Sequence, residues 1–138
     1  MRTLRLLLGA ATALWWAGCT TPKKTPPVVD QLTLAGHVLT TDNSALPDDA
    51  VLTVRLLDVS SPDDPAGVVA EQSTSASGRP PIGFMLRYRP AEAERGHRFV
   101  LDARIESMGK LRYYSLKPQP VKLDGTEGPH ELLVAPAK

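Results

Sequence analysis

The stretch Arg98–Ser115, RFVLDARIESMGKLRYYS, decides the fold. Phe99, Leu101, Ala103 and Ile105 fall on one face of an extended chain, and Arg98, Asp102, Arg104 and Glu106 fall on the other, with Val100 as the exception. Such alternation marks a strand with one packed and one wet face, which is how antiparallel sheets behave. Ser107-Met108-Gly109-Lys110 comes next and leads into a weaker run, Lys110 to Ser115. The spacing predicts a hairpin whose turn puts Gly109 at positive φ.

The same period recurs on both sides of this stretch. Leu32, Leu34 and Val38 alternate around Gly36. Ala50, Leu52, Val54 and Leu56 alternate with Val51, Thr53 and Arg55, and Ile82, Phe84, Leu86 and Tyr88 alternate with Gly83, Met85 and Arg87. Weaker runs at Val68–Ser75 and His130–Val134 bring the expectation to about seven strands. Pro62-Asp63-Asp64-Pro65, Gly78-Arg79-Pro80-Pro81 and the stretch from Asp124 to Pro129 supply turn chemistry between them. No window holds the apolar spacing of a long helix, and only Pro90–Gly96 has the punctuation for a single helical turn. The expectation is an all-β fold, a small antiparallel β-sandwich spanning residues 31–138.

The N-terminus reads differently. Arg2 and Arg5 precede an apolar stretch from Leu6 to Ala17 that closes on Gly18-Cys19, the order of a secretory signal peptide. A spanning helix needs about 20 apolar residues, and the polar run Thr20-Thr21-Pro22-Lys23-Lys24 arrives too soon for one. Ala17-Gly18-Cys19 resembles the end of a bacterial lipobox, although Trp16 stands where an aliphatic residue is usual. That resemblance implies cleavage after residue 18 and acylation of the Cys19 thiol. Each buried methylene of the acyl chains would contribute roughly 0.8 kcal/mol to anchoring. Thr20, in place of an Asp inner-membrane retention signal, implies an outer-membrane, periplasm-facing destination. Residues 19–30, rich in Pro, Thr and Lys, then form a tether that could hold the domain about 30 Å off the bilayer.

Cleavage at that point leaves 120 of the 138 residues, enough for one domain. Losing Arg2 and Arg5 takes the formal charge from +1 to −1, so the body has no electrostatic footprint for nucleic acid. Cys19 is the single cysteine, and once acylated it leaves no disulfide to form. His37, His97 and His130 are scattered. There is no H-E-x-x-H pair, no G-x-S-x-G turn and no Gly-rich phosphate loop. Asp48-Asp49 and Asp63-Asp64 lack the spacing of a calcium loop. A non-catalytic monomer without a cofactor is expected.

The order of the pieces is familiar. ALPDDAVLTVRLLDVS (Ala45–Ser60), VVAEQ (Val68–Gln72), GRPPIGFMLRY (Gly78–Tyr88) and HRFVLDARIESMGKLRYYS (His97–Ser115) together resemble the YbaY/YscW family of bacterial lipoproteins, related to the pilotins of type III secretion. The resemblance implies a β-sandwich lipoprotein. For the pilotin branch it implies an escort that assists assembly of an outer-membrane secretin. A general structural or glycan-binding envelope lipoprotein with no secretin partner is the alternative.

Individual residues add little chemistry. Asp58 and Ser60 follow a strand end, where short polar side chains bond nearby N–H groups. His97 reads as a solvated residue at a strand start. Tyr113 and Tyr114 must face opposite sides, one packed and one exposed. Candidate partner-binding positions are Leu57 and Val59, expected on the outer face near Val51, and Arg79 and Pro80, at an edge where a client peptide could add a strand.

Overall fold

The computed structural model describes Gly18 and residues 31–92, 96–126 and 128–138. Residues 1–17 of the expected signal segment, Cys19 and the tether lie outside the described residues. Eight strands form: β1 (Leu32–Thr40), β2 (Val51–Asp58), β3 (Gly67–Ser75), β4 (Ile82–Tyr88), β5 (Phe99–Ser107), β6 (Lys110–Ser115), β7 (Gln119–Val121) and β8 (His130–Pro136). Among the described residues the one helical element is a 3₁₀ turn at Pro90–Glu92, inside the stretch expected to hold it, and residues 93–95 lie outside the described residues. The fold is all-β, as expected.

The strands join in one sheet, in the order β3-β2-β5-β6-β8-β1-β4, with β7 also on β5. The two packed layers are thus parts of one sheet that curls over its own core until it is nearly closed. Every ladder is antiparallel except that between β1 and β8, which runs parallel from Gly36↔His130 to Thr40↔Val134.

The inward residues are those the alternation names, except that Leu32, at the start of β1, is exposed and Ile82, at the start of β4, is half-buried. Leu52, Leu56, Leu101 and Ile105 are fully buried, and Ala50, Val54, Ala103, Phe84, Leu86 and Tyr88 join them in one cluster with Leu34 and Val38. Burying a Leu or Phe side chain contributes about 1.5–3 kcal/mol, so this cluster holds the two sides of the curled sheet together. Tyr113 packs against it and Tyr114 faces solvent.

Polar side chains fasten the ends. The Ser107 hydroxyl donates to one Asp49 carboxylate oxygen (2.7 Å) and the Met108 N–H to the other (2.8 Å), tying the β5–β6 turn to the start of β2. Both turn residues, Met108 and Gly109, sit at positive φ. Where β6 begins to leave β5, the Ser115 hydroxyl accepts from the Ala103 N–H (2.9 Å) and donates to the Ala103 carbonyl (3.2 Å), taking the place of a backbone partner.

Candidate functional site

β6 and β8 pair over only three positions, Tyr113↔Pro136, Tyr114↔Ala135 and Ser115↔Val134. Beyond Ser115 the chain turns away and returns to β5 as the short strand β7, with Gln119 opposite Leu101 and Val121 opposite Phe99. A groove of about 320 Å³ opens between this departing segment and the first half of β8. Leu116, Pro118 and Pro120 form one bank, and Glu131, Leu132 and Leu133 form the other. Leu116 is 66% exposed and Leu133 57%, a large apolar surface for a small domain to leave in water. The volume is at the lower end of what holds a small ligand or a few side chains of a bound chain.

A second, shallower groove of about 440 Å³ runs along the seam between the outer strands β3 and β4, beside Gln72, Thr74, Gly83 and Met85. It is partly bridged already, because the Met85 N–H donates to the Gln72 side-chain carbonyl at 3.1 Å.

The best-connected polar cluster is Asp58, Ser60 and His97. One Asp58 oxygen accepts from the Ser60 N–H (2.9 Å) and the Ser60 hydroxyl (2.5 Å), and the other lies 2.6 Å from His97 Nδ1. The Ser60 hydroxyl, with His97 behind it, lowers the Asp58 carboxyl to about 2. Ser60 gives its proton to a carboxylate and its oxygen accepts the Arg98 N–H at 2.8 Å. Hydroxyl and imidazole both meet the carboxylate, so the order within this cluster differs from a nucleophile–histidine–carboxylate triad. The cluster clamps the end of β2 to the start of β5. His97 is exposed just before β5, as expected of a solvated residue at a strand start, and also takes part in that clamp. Among the described residues no group of three His, Cys, Asp or Glu side chains could hold a metal ion, and no helix is long and apolar enough to cross a membrane.

The four residues singled out in the sequence do not converge. Leu57 lies directly opposite Val100 on the outer face and is only 9% exposed; Val59 is half-buried beside it. Leu57 itself is thus covered, while Val51 and, opposite Leu57 on β3, Val68 stay exposed; the pairing with Leu57 accounts for the exceptional Val100. Arg79 is exposed and Pro80 half-buried, in a loop held by Gly78 pairing with Leu46. They follow the far end of β3, about 20 Å along the sheet from Leu57. The Pro80–Pro81 peptide bond is cis. Sequence reading missed Leu116 and Leu133, although Leu133 falls out of phase with the inward residues of β8 and Leu116, just past the end of β6, is out of phase with Tyr113.

The family model for type III secretion system lipoprotein chaperones (YscW) matches residues 29–133, nearly the whole folded domain. The chain belongs to the YscW family. A curated relative, the uncharacterized lipoprotein YbaY of Escherichia coli, is 36% identical over 96 residues. That match takes in 69% of this chain and spans about half the length of the relative (50%). Among solved structures, an alternative pilotin from the type II secretion system of Vibrio cholerae matches with a TM-score of 0.73 and 32% identity, covering 79% of this chain and 99% of that one. The YscW match includes β1 through Leu133, so both banks of the groove belong to the family domain.

Proposed function

We propose that this YscW-family chain is a lipid-anchored, non-catalytic assembly factor of pilotin type, which holds a segment of an outer-membrane secretion component. The observation that carries this reading is the exposed apolar groove at Leu116 and Leu133, in a domain that superimposes on nearly the full length of a pilotin. Cys19 is the proposed acylation site after removal of residues 1–18, with residues 19–30 as tether and the domain in the periplasm. A client held by a lipidated monomer would travel with it to the outer membrane. Its concentration there would rise without strong intrinsic affinity. The client is proposed to be secretin-like, no nucleic acid is involved, and no cofactor is needed.

The test is affinity capture of the lipidated protein after in-cell crosslinking, with Cys19→Ala beside it. One outer-membrane protein recovered at near-stoichiometric yield, and mislocalised when this chain is deleted, supports the reading. A partner list matching bulk envelope proteins overturns it. Cys19→Ala should fractionate as soluble periplasmic protein or unprocessed precursor, and carbonate-resistant membrane recovery equal to wild type would refute the anchor.

A further inference from the structure

Resting on the pilotin-type reading, we infer that the client is held as an added β-strand on the free edge of β8. Its backbone bonds to Glu131 and Leu133, and an apolar side chain seats between Leu116 and Leu133.

The β6–β8 ladder fixes the geometry. The Ala137 N–H donates to the Arg112 carbonyl at 2.7 Å, one step beyond Tyr113↔Pro136. Bonded and non-bonded pairs alternate in an antiparallel ladder, so Tyr114↔Ala135 is the next bonded pair. Continued by the same step, Leu116↔Leu133 and Pro118↔Glu131 would follow. Neither forms, because the register stops at Ser115↔Val134 and Pro118 has no N–H to donate. On the opposite side of β8, the Val134 carbonyl accepts from the Thr41 N–H (2.9 Å), so alternate residues face β1. The N–H and C=O groups of Glu131 and Leu133 therefore point into the groove, where no strand of the described residues pairs with them.

The far bank cannot close the gap. Gln119 and Val121 direct their backbone groups toward β5, which leaves Pro120, again without an N–H, facing the groove. One edge thus offers donors and acceptors and the other offers no proline donor at all. An occupant that answers a donor–acceptor pair at every second residue, with apolar side chains between, is an extended polypeptide. A helix has already spent its backbone groups internally, and an acyl chain has none. The β3–β4 seam is the weaker edge, since the Met85 N–H is already taken by Gln72.

The test uses the full-length lipidated protein in cells, with the photocrosslinker benzoylphenylalanine at Leu116 or, separately, at Met85. Each is combined with native Leu133, Leu133→Pro or Leu133→Val. Leu133 is exposed and its N–H faces the groove, so proline removes one donor and leaves the core intact; Glu131→Pro repeats the change one step along. Unchanged thermal melting shows that a variant folds. An adduct to one outer-membrane protein from position 116, reduced about tenfold or more by either proline and kept within about twofold by valine, is the expected result. The crosslinked segment, made as a synthetic peptide and added to isotope-labelled protein, should slow amide exchange at Leu133 by about tenfold or more. The same partner captured from Met85 and indifferent to the prolines overturns the β8 edge while leaving the pilotin reading intact. Peptide binding without protection of Glu131 and Leu133 overturns the strand mode. No single partner from either position overturns both readings.

Discussion

Gly36 and His130 face each other across the parallel β1–β8 pair, and a Cβ on Gly36 would lie 2.0 Å from the His130 carbonyl oxygen. A contact under 3 Å with backbone cannot be relieved by a side-chain turn. Gly36→Ala should therefore push the two strands apart, at a cost of about 3 kcal/mol or more. Gly83, on neighbouring β4, has nothing within 4 Å of the same position. Gly83→Ala should be neutral or stabilising by up to about 1 kcal/mol. Chemical denaturation of both variants checks the pair, and equal stability would mean that the β1–β8 approach is looser than described.

Acid should weaken the clamp between β2 and β5. The Asp58 carboxyl is lowered from its ordinary 3.8 to about 2 by the Ser60 hydroxyl first and His97 second. A carboxyl whose value is lower in the folded state stabilises fully above the unfolded value and loses that contribution as pH falls through the folded one. The loss should fall between about pH 4 and pH 2. Asp58→Asn should melt below wild type at neutral pH, with the gap narrowing across that window. A gap that stays constant from pH 5 to about pH 2 would remove Asp58 from the acid response.

The β5–β6 turn carries avoidable strain. Met108 and Gly109 both have positive φ (53° and 71°), the backbone of a type I′ turn, which prefers Asn-Gly. Met108 is 80% exposed and contributes little packing, while its N–H still bonds Asp49. Met108→Asn should therefore stabilise by about 0.5–1 kcal/mol. Gly109→Ala should lose about 1 kcal/mol at the same turn. Urea midpoints measure both, and an unchanged midpoint for Met108→Asn would place the turn's cost elsewhere.

What could be read from the chain follows from what a local pattern can encode. The inward faces at Phe99–Ile105 and Ala50–Leu56 were legible because period two is a property of one strand. The parallel β1–β8 pairing was not, since nothing in either strand names its neighbour; Gly36, a bare position on an otherwise apolar face, was the only local trace of the close approach. β7 escaped because three residues with a central proline carry no period. Leu57 was correctly placed on the outer face, but its cover is Val100 from another strand, and a single-strand reading cannot see that. The groove is a further step removed. It exists because the chain abandons β8 after Ser115, and its sequence traces are two prolines and two leucines out of phase.

Amide exchange in the free protein should expose that abandoned edge directly. Along β8, Leu132 and Val134 face β1 and Ala135 faces β6, each inside a ladder, whereas Glu131 and Leu133 face the groove. Alternate residues of one strand should thus exchange at very different rates, because local protection follows the opening free energy of each bonded partner. Glu131 and Leu133 should exchange about a hundredfold or more faster than Leu132 and Val134. A common slow rate along residues 131–135 would mean that the β8 edge is already paired in solution, and the groove would then be too narrow to accept a strand.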